Sequence, residues 1–210
     1  MDFIFLLTIA YLIGSIPTAV WVGKRFYGVD VREYGSGNAG TTNTLRTLGK
    51  NAAIFVLLVD MLKGWAAVQL SRLSFYDWGS EDIVNLQIAL GLCAILGHIF
   101  PIWAGFKGGK GVATLFGMIL AIHPIVAVSL VGVFLFMLLI THYVSLSSIS
   151  ASIAFPILIL FIFKDQAPEI AYKIFAIATA CMVVMTHHKN IGRLLTGNES
   201  KIKLIKKKEE

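Results

Sequence analysis

Four polar stretches hold the residues that could do chemistry. In the first, GSGNAGTTNTLR from Gly35 to Arg46, the glycines let the chain bend so that successive N–H groups face one concavity, a nest suited to an anion. Gly37 belongs to that bend, Ser36, Asn38, Thr42 and Asn43 add neutral donors, and the Arg46 guanidinium can fork onto a phosphate. The second, GFKGGKGVAT from Gly105 to Thr114, sets Lys107 and Lys110 among Gly108, Gly109 and Gly111 just ahead of an apolar helix. A helix start offers unpaired N–H groups and the positive end of a dipole, and the lysines add full charge beside them. The third, HYVSLSSIS from His142 to Ser150, leads serines into a helix; Ser147 or Ser148 reads equally as an N-cap or a substrate contact, and Ser145, ahead of the cap, is the site candidate. The fourth, THHKNIGRLLTGNES, brings His187, His188, Lys189, Asn190 and Arg193 after a helix end, where a cation also complements the dipole. The chemistry these residue types share is the gripping of phosphate, with a histidine able to take a proton.

Patterns that would point elsewhere fail on inspection. Gly35 to Gly40 satisfies G-x-G-x-x-G with Asp60 at a dinucleotide-like distance, yet no βαβ unit surrounds it and Asp60 falls inside an apolar segment. The lysine of the second stretch is followed by Gly111, where a nucleotide-binding P-loop needs Ser or Thr. No His-x-x-x-x-Asp, no G-x-S-x-G and no Cys/His metal cluster occurs; Cys93 and Cys181 sit in apolar segments and read as packing. Neither a metal nor a cofactor is expected.

The elements that must position these loops are apolar. The 210 residues are 57% hydrophobic and 14% charged, with a mean hydropathy of +0.78, which marks an integral membrane protein. Candidate spans run roughly over 3–22, 52–70, 83–103, 112–122, 125–140, 149–163 and 170–186. The stretch from Val112 to Ile140 is short for two crossings, but His123-Pro124 offers a break. Parity is set by charge. With the N-terminus outside, seven spans put Lys24, Arg25, Arg32, Arg46, Lys50, Lys107, Lys110, Lys189, Arg193 and the tail lysines inside, and only Arg72 and Lys164 outside. The expected fold is therefore all-α with seven transmembrane helices, N-terminus outside and C-terminus cytoplasmic, the site being built from cytoplasmic loops. The first span, Phe3 to Val22, lacks a cleavage site and reads as retained. Within the spans Asp60 and Lys63 lie i, i+3 on one helical face and are expected to neutralise each other, while Pro17 and Pro156 mark kinks. The net charge of +6 comes largely from the tail, whose lysines suit anionic headgroups better than nucleic acid.

The four stretches resemble the motifs of the bacterial acyl-phosphate:glycerol-3-phosphate acyltransferases, the PlsY family. GSGNAGTTNTLR is similar to the first motif, GFKGGKGVAT to the second, and HYVSLSSIS with THHKNIGRLLTG to the remainder, so the resemblance runs to about Gly197. It implies one acyltransferase domain over 1–197 and a basic cytoplasmic tail over 198–210. It also implies a multi-pass protein of the bacterial inner membrane that carries a fatty acyl group from acyl phosphate to glycerol 3-phosphate, giving lysophosphatidic acid and inorganic phosphate at the cytoplasmic face. The partners are then those two substrates and the bilayer, without nucleic acid, and the enzyme that makes acyl phosphate is a candidate partner. Ser36, Asn38, Thr42, Asn43 and Arg46 correspond to the first motif, Lys107, Gly109 and Lys110 to the second, Ser145 to the third, and His187 and Asn190 to the C-terminal pair.

Ser36, Arg46, Lys110, Ser145 and His187 are the expected catalytic set. Gly37, Asn38, Thr42, Asn43, Lys107, Gly108, Gly109 and Asn190 are the expected substrate-binding set. Arg46, Lys107 and Lys110 would hold the phosphates and Ser36 or Ser145 the charge developing on the acyl oxygen; the hydroxyl proton would go to His187 or to a substrate phosphate oxygen. A small transporter for an organic phosphate is the rival, but its polar groups belong near the midplane, where only Asp60 and Lys63 fit.

Overall fold

A computed structural model describes residues 2–76, 80–167 and 169–202. Every apolar stretch of the sequence becomes helix, and the described residues contain no strand. Five helical segments are long and apolar enough to cross a membrane, or six if one bent pair is counted as a span. The chain divides into two units, Met1–Pro124 and Ile125–Glu210.

In the first unit α1 (Phe3–Gly14) and α2 (Thr18–Tyr27) form one apolar stretch interrupted at Ser15 to Pro17. Proline has no N–H to continue the ladder, so the helix breaks and its carbonyls need other donors. α4 (Lys50–Gln69) supplies one: Lys63 Nζ donates to the Ile16 carbonyl at 3.1 Å and pairs with Asp60 Oδ1 at 2.9 Å. Thr18 Oγ1 donates to the same carboxylate oxygen at 3.0 Å. The i, i+3 pair expected from spacing thus forms, and it seals the break that Pro17 makes.

The helices of this unit touch where residues are small. A methyl group on Gly64 of α4 would collide with the Thr114 carbonyl of α6 (Val112–Ile122), and one on Gly117 of α6 with the Met61 carbonyl of α4. Gly14 of α1 and Gly97 of α5 (Glu81–Ile99) meet in the same reciprocal way, through the Ala94 and Tyr11 carbonyls. In lipid, where tails are as apolar as leucine, such close backbone approach and its dispersion contacts are what hold helices together. The eleven residues of α6 rise only ~16 Å against an apolar core of ~30 Å, in line with the short length expected there. α3 (Thr41–Leu48) is the short polar helix of the first motif.

In the second unit α7 (Pro124–Thr141) begins at the proline that ends α6. α8 (Val144–Ile157) contains Pro156 and relaxes into a π turn, Leu158–Ile162, closed by Phe163 N–H donating to the Leu158 carbonyl. It packs on α9 (Ile170–Thr186) around Phe155, Tyr172 and Phe175, with Phe155 edge-on to both other rings. α9 bends by 61° at His187 into α10 (His188–Leu195). Beyond Gly197 the chain does not leave at once: Glu199, on the tail side of the expected boundary, is buried. Lys203, Lys206, Lys207 and Lys208 lie outside the described residues.

Candidate active site

The first motif is a loop stapled to its own helix. Gly35 and Gly37 take φ values of +60° and +71°, and the turn so formed points the Ser36 N–H at Asn43 Oδ1, 2.8 Å away. Ser36 Oγ donates to the same oxygen at 3.2 Å. Asn43 in turn spends both amide hydrogens on the carbonyls of Val31 (2.7 Å) and Tyr34 (3.1 Å), and only 2% of it is exposed. Two expectations change here. Asn43 shapes the loop from inside instead of offering donors to a ligand, and the nest loses two of its N–H groups, because Gly37 N–H goes to the Tyr34 carbonyl. Thr42 and Arg46, four residues apart on α3, lie on another face of that helix, with Arg46 exposed.

The second motif folds back on the end of α5. Gly108 N–H donates to the Ile99 carbonyl and Gly109 N–H to the His98 carbonyl, both at 3.1 Å, so these two groups close a turn and are not donors to an anion. Gly109 lies so close to the buried His98 ring that a side chain there would strike Nε2. Gly105 and Phe106 follow one another at φ +62° and +59°, a tight reversal that leaves Lys107 exposed. α6 then starts from Gly111 with no side-chain cap.

A cleft of about 470 Å³ joins these two loops, with Gly37, Gly105, Lys107 and Gly108 in its wall alongside Asp30 and Arg32. Asp30 precedes a 3₁₀ turn, Val31–Glu33, and grips Arg32 with both oxygens: Oδ1 accepts from the Arg32 N–H (3.0 Å) and Nε (2.9 Å), Oδ2 from Nη2 (2.7 Å). Lys24 Nζ lies 3.2 Å from Oδ2. The Arg32 guanidinium beside Asp30 holds its carboxyl well below the usual carboxylate range.

In the second unit the polar residues converge on a carboxylate. Glu199 Oε1 accepts from Ser145 Oγ at 2.8 Å and from Asn190 Nδ2 at 2.7 Å, and Oε2 from Arg193 Nε at 2.6 Å. Burial raises the Glu199 carboxyl, but the bonds from Arg193, Asn190 and Ser145 outweigh it and hold the group below its ordinary value. Ser145 lies inside α8, not ahead of a cap. His142 at φ +61° turns the chain early, Tyr143 becomes the N-cap, and Ser147 and Ser148 bond back to the carbonyls of Tyr143 and Val144, so none of these serines caps the helix. The chain after Glu199 returns to that corner, with Ile202 N–H donating to the His142 carbonyl at 2.9 Å.

His187 sits at the α9–α10 bend, 3% exposed, its Nδ1 lying 2.8 Å from the Val183 carbonyl. A carbonyl only accepts, so Nδ1 carries the hydrogen and Nε2 holds the lone pair of the neutral ring. Glu199 and the Asp30–Arg32 pair were missed in the sequence. The available signals were the Asp-x-Arg spacing ahead of the first motif and a lone acid before a lysine run.

Comparison with known proteins bears on this geometry. Residues 4–197 match the family model described as glycerol-3-phosphate acyltransferase. The protein of that name from Fusobacterium nucleatum subsp. nucleatum is 42% identical, covering 97% of this chain and 100% of its own. Its namesake from Chlorobium phaeobacteroides is 38% identical over 97% of both. The crystal structure of PlsY (YgiH), an integral membrane glycerol 3-phosphate acyltransferase in its glycerol 3-phosphate form, superposes with a TM-score of 0.83 at 37% identity over 96% of each chain. The lysophosphatidic acid form gives 0.81 at the same identity, over 96% of this chain and 95% of that one.

Proposed function

The chain belongs to the glycerol-3-phosphate acyltransferase family, and from that premise we propose that it uses fatty acyl phosphate as donor and yields 1-acyl-sn-glycerol 3-phosphate and inorganic phosphate. The observation that carries this reading is the cleft between the two glycine-rich loops, which sets Lys107 at its edge where a phosphate-bearing molecule can enter. The similarity to a structure solved in glycerol 3-phosphate and lysophosphatidic acid forms supports the same acceptor and product here.

Acyl phosphate is a mixed anhydride and already activated, so transfer needs positioning and charge stabilisation more than a covalent enzyme intermediate. The acceptor's 1-hydroxyl oxygen attacks the acyl carbon, the bond from that carbon to the phosphate oxygen breaks, and phosphate leaves with the electron pair. Arg46, Lys107 and Lys110 neutralise the two phosphates, and Ser36 stabilises charge on the acyl oxygen by turning its hydroxyl hydrogen from Asn43 Oδ1, where its longer bond lies, to the substrate. Thr42 and Asn38 add neutral donors. The hydroxyl proton goes to His187 Nε2, in the tautomer that Val183 selects, or to an oxygen of a substrate phosphate. Ser145 and Asn190 act through Glu199, to which both donate.

The charge distribution supports seven crossings with the N-terminus outside and these loops at the cytoplasmic face of a bacterial inner membrane, the enzyme that makes acyl phosphate being a candidate partner there. The chain is then one membrane domain over 1–197 with a basic cytoplasmic tail over 198–210, and the burial of Glu199 extends the packed part of the chain past that boundary. Purified protein given acyl phosphate, with and without glycerol 3-phosphate, tests the reading. Phosphate release that requires the acceptor and matches lysophosphatidic acid mole for mole is expected; release without acceptor, or equal transfer from acyl-CoA, would refute it.

A further inference from the structure

Arg32 belongs to neither glycine-rich motif, yet it touches both the approach to the first and the backbone of the second. Its Nη1 donates to the carbonyl of Ala104 at 2.7 Å and lies 3.4 Å from that of Lys107. Those two carbonyls bracket Gly105 and Phe106, the left-handed pair that turns the chain and sets the direction of Lys107. On its other edge the guanidinium is fixed by Asp30, which takes Nε and Nη2 and is itself held by Lys24. Between these ends, Val31 and Tyr34 are the residues whose carbonyls Asn43 staples to α3. A planar fork with donors on two edges is the one side chain able to bridge a carboxylate and two carbonyls in this way; an ammonium is a point charge and cannot. Most of the donors of Arg32 are therefore committed to protein, which leaves it poorly equipped to be a phosphate ligand although it lines the cleft.

We infer that Arg32, oriented by Asp30, is a positioning residue that fixes the spacing of the first- and second-motif loops and aims Lys107 at the phosphate of glycerol 3-phosphate. The inference rests on the proposed function, in which Lys107 grips that phosphate. Loss of the bridge releases a strained turn, and displacement of a binding group by an ångström is enough for a large kinetic effect.

The test is a double-mutant cycle on the full-length protein, with Arg32→Ala, Lys107→Ala and the pair, reading KM for glycerol 3-phosphate and kcat separately. Arg32→Ala should raise KM about 10-fold or more with a smaller change in kcat, and the pair should be little worse than Lys107→Ala alone, because Arg32 acts through Lys107. Arg32→Lys should restore little, since charge without the fork does not bridge; it also runs the same cycle if Arg32→Ala does not fold. Effects that multiply independently in the pair, or full rescue by lysine, would overturn the positioning role and leave the proposed function standing. Unchanged kinetics in Lys107→Ala would instead defeat the phosphate-gripping reading, and the role of Arg32 with it.

Discussion

The two polar regions use carboxylates in opposite ways. In the first unit Asp30 commits a single arginine, and that arginine is spent on carbonyls, so the exposed cations Lys107 and Arg46 remain for a ligand. In the second unit Glu199 collects donors from Ser145, Asn190 and Arg193, three groups on two helices, and so consumes much of the polarity its sequence offers. The lesson is that a motif residue can serve a site by holding its scaffold: Asn43 and Ser145 look like ligand donors in sequence, and the fold uses their hydrogens internally.

That contrast can be broken at its strongest point first. Replacing Glu199 by Ala takes this acceptor from the buried Asn190 amide and Ser145 hydroxyl and from the partly exposed Arg193, which should cost about 2–4 kcal/mol. Thermal melting should show collapse or a large loss of stability, and a Glu199→Ala protein that melts normally would make the knot ornamental. Asn43→Ala removes two buried bonds to backbone carbonyls and should cost about 1–3 kcal/mol; a change confined to KM would return Asn43 to the ligand-binding set. Arg46→Ala, at an exposed position, should leave melting unchanged and raise KM for glycerol 3-phosphate by roughly 10-fold, the value of one charge-assisted contact. Acid gives the smallest effect. The folded-state pKa values of Asp30 and Glu199 lie below their ordinary values, so the stability they contribute is complete above about pH 4–5 and is lost as pH falls through that range and below it. Melting temperature measured from pH 5 to 8 should therefore not move on their account.

Much of the scaffold was legible because lipid imposes a strong rule on it. Charge-free apolar runs become helices, Pro17 and Pro124 end them, and an acid and a base three apart inside a span must pair, as Asp60 and Lys63 do. The loops were legible by residue type but not by direction. Whether an amide points inward or outward depends on φ at Gly35 and Gly37, and whether Ser145 precedes a helix depends on the left-handed turn at His142, neither of which a local pattern reveals. Glu199 was masked by the lysines that follow it, since composition there speaks of a solvated tail. Arg32 was read as one more inside charge.

The proposal at the centre is that Arg46, Lys107 and Lys110 grip phosphate, with the hydroxyl proton passing to His187 or to a substrate phosphate oxygen. Steady-state kinetics of Lys107→Ala and His187→Ala side by side test it most directly. Lys107→Ala should act chiefly on KM for glycerol 3-phosphate, and His187→Ala should lower kcat by about 10²- to 10⁴-fold with KM little changed. Wild-type kcat in His187→Ala would leave the proton to a substrate phosphate oxygen, and a loss of kcat alone in Lys107→Ala would contradict the phosphate grip.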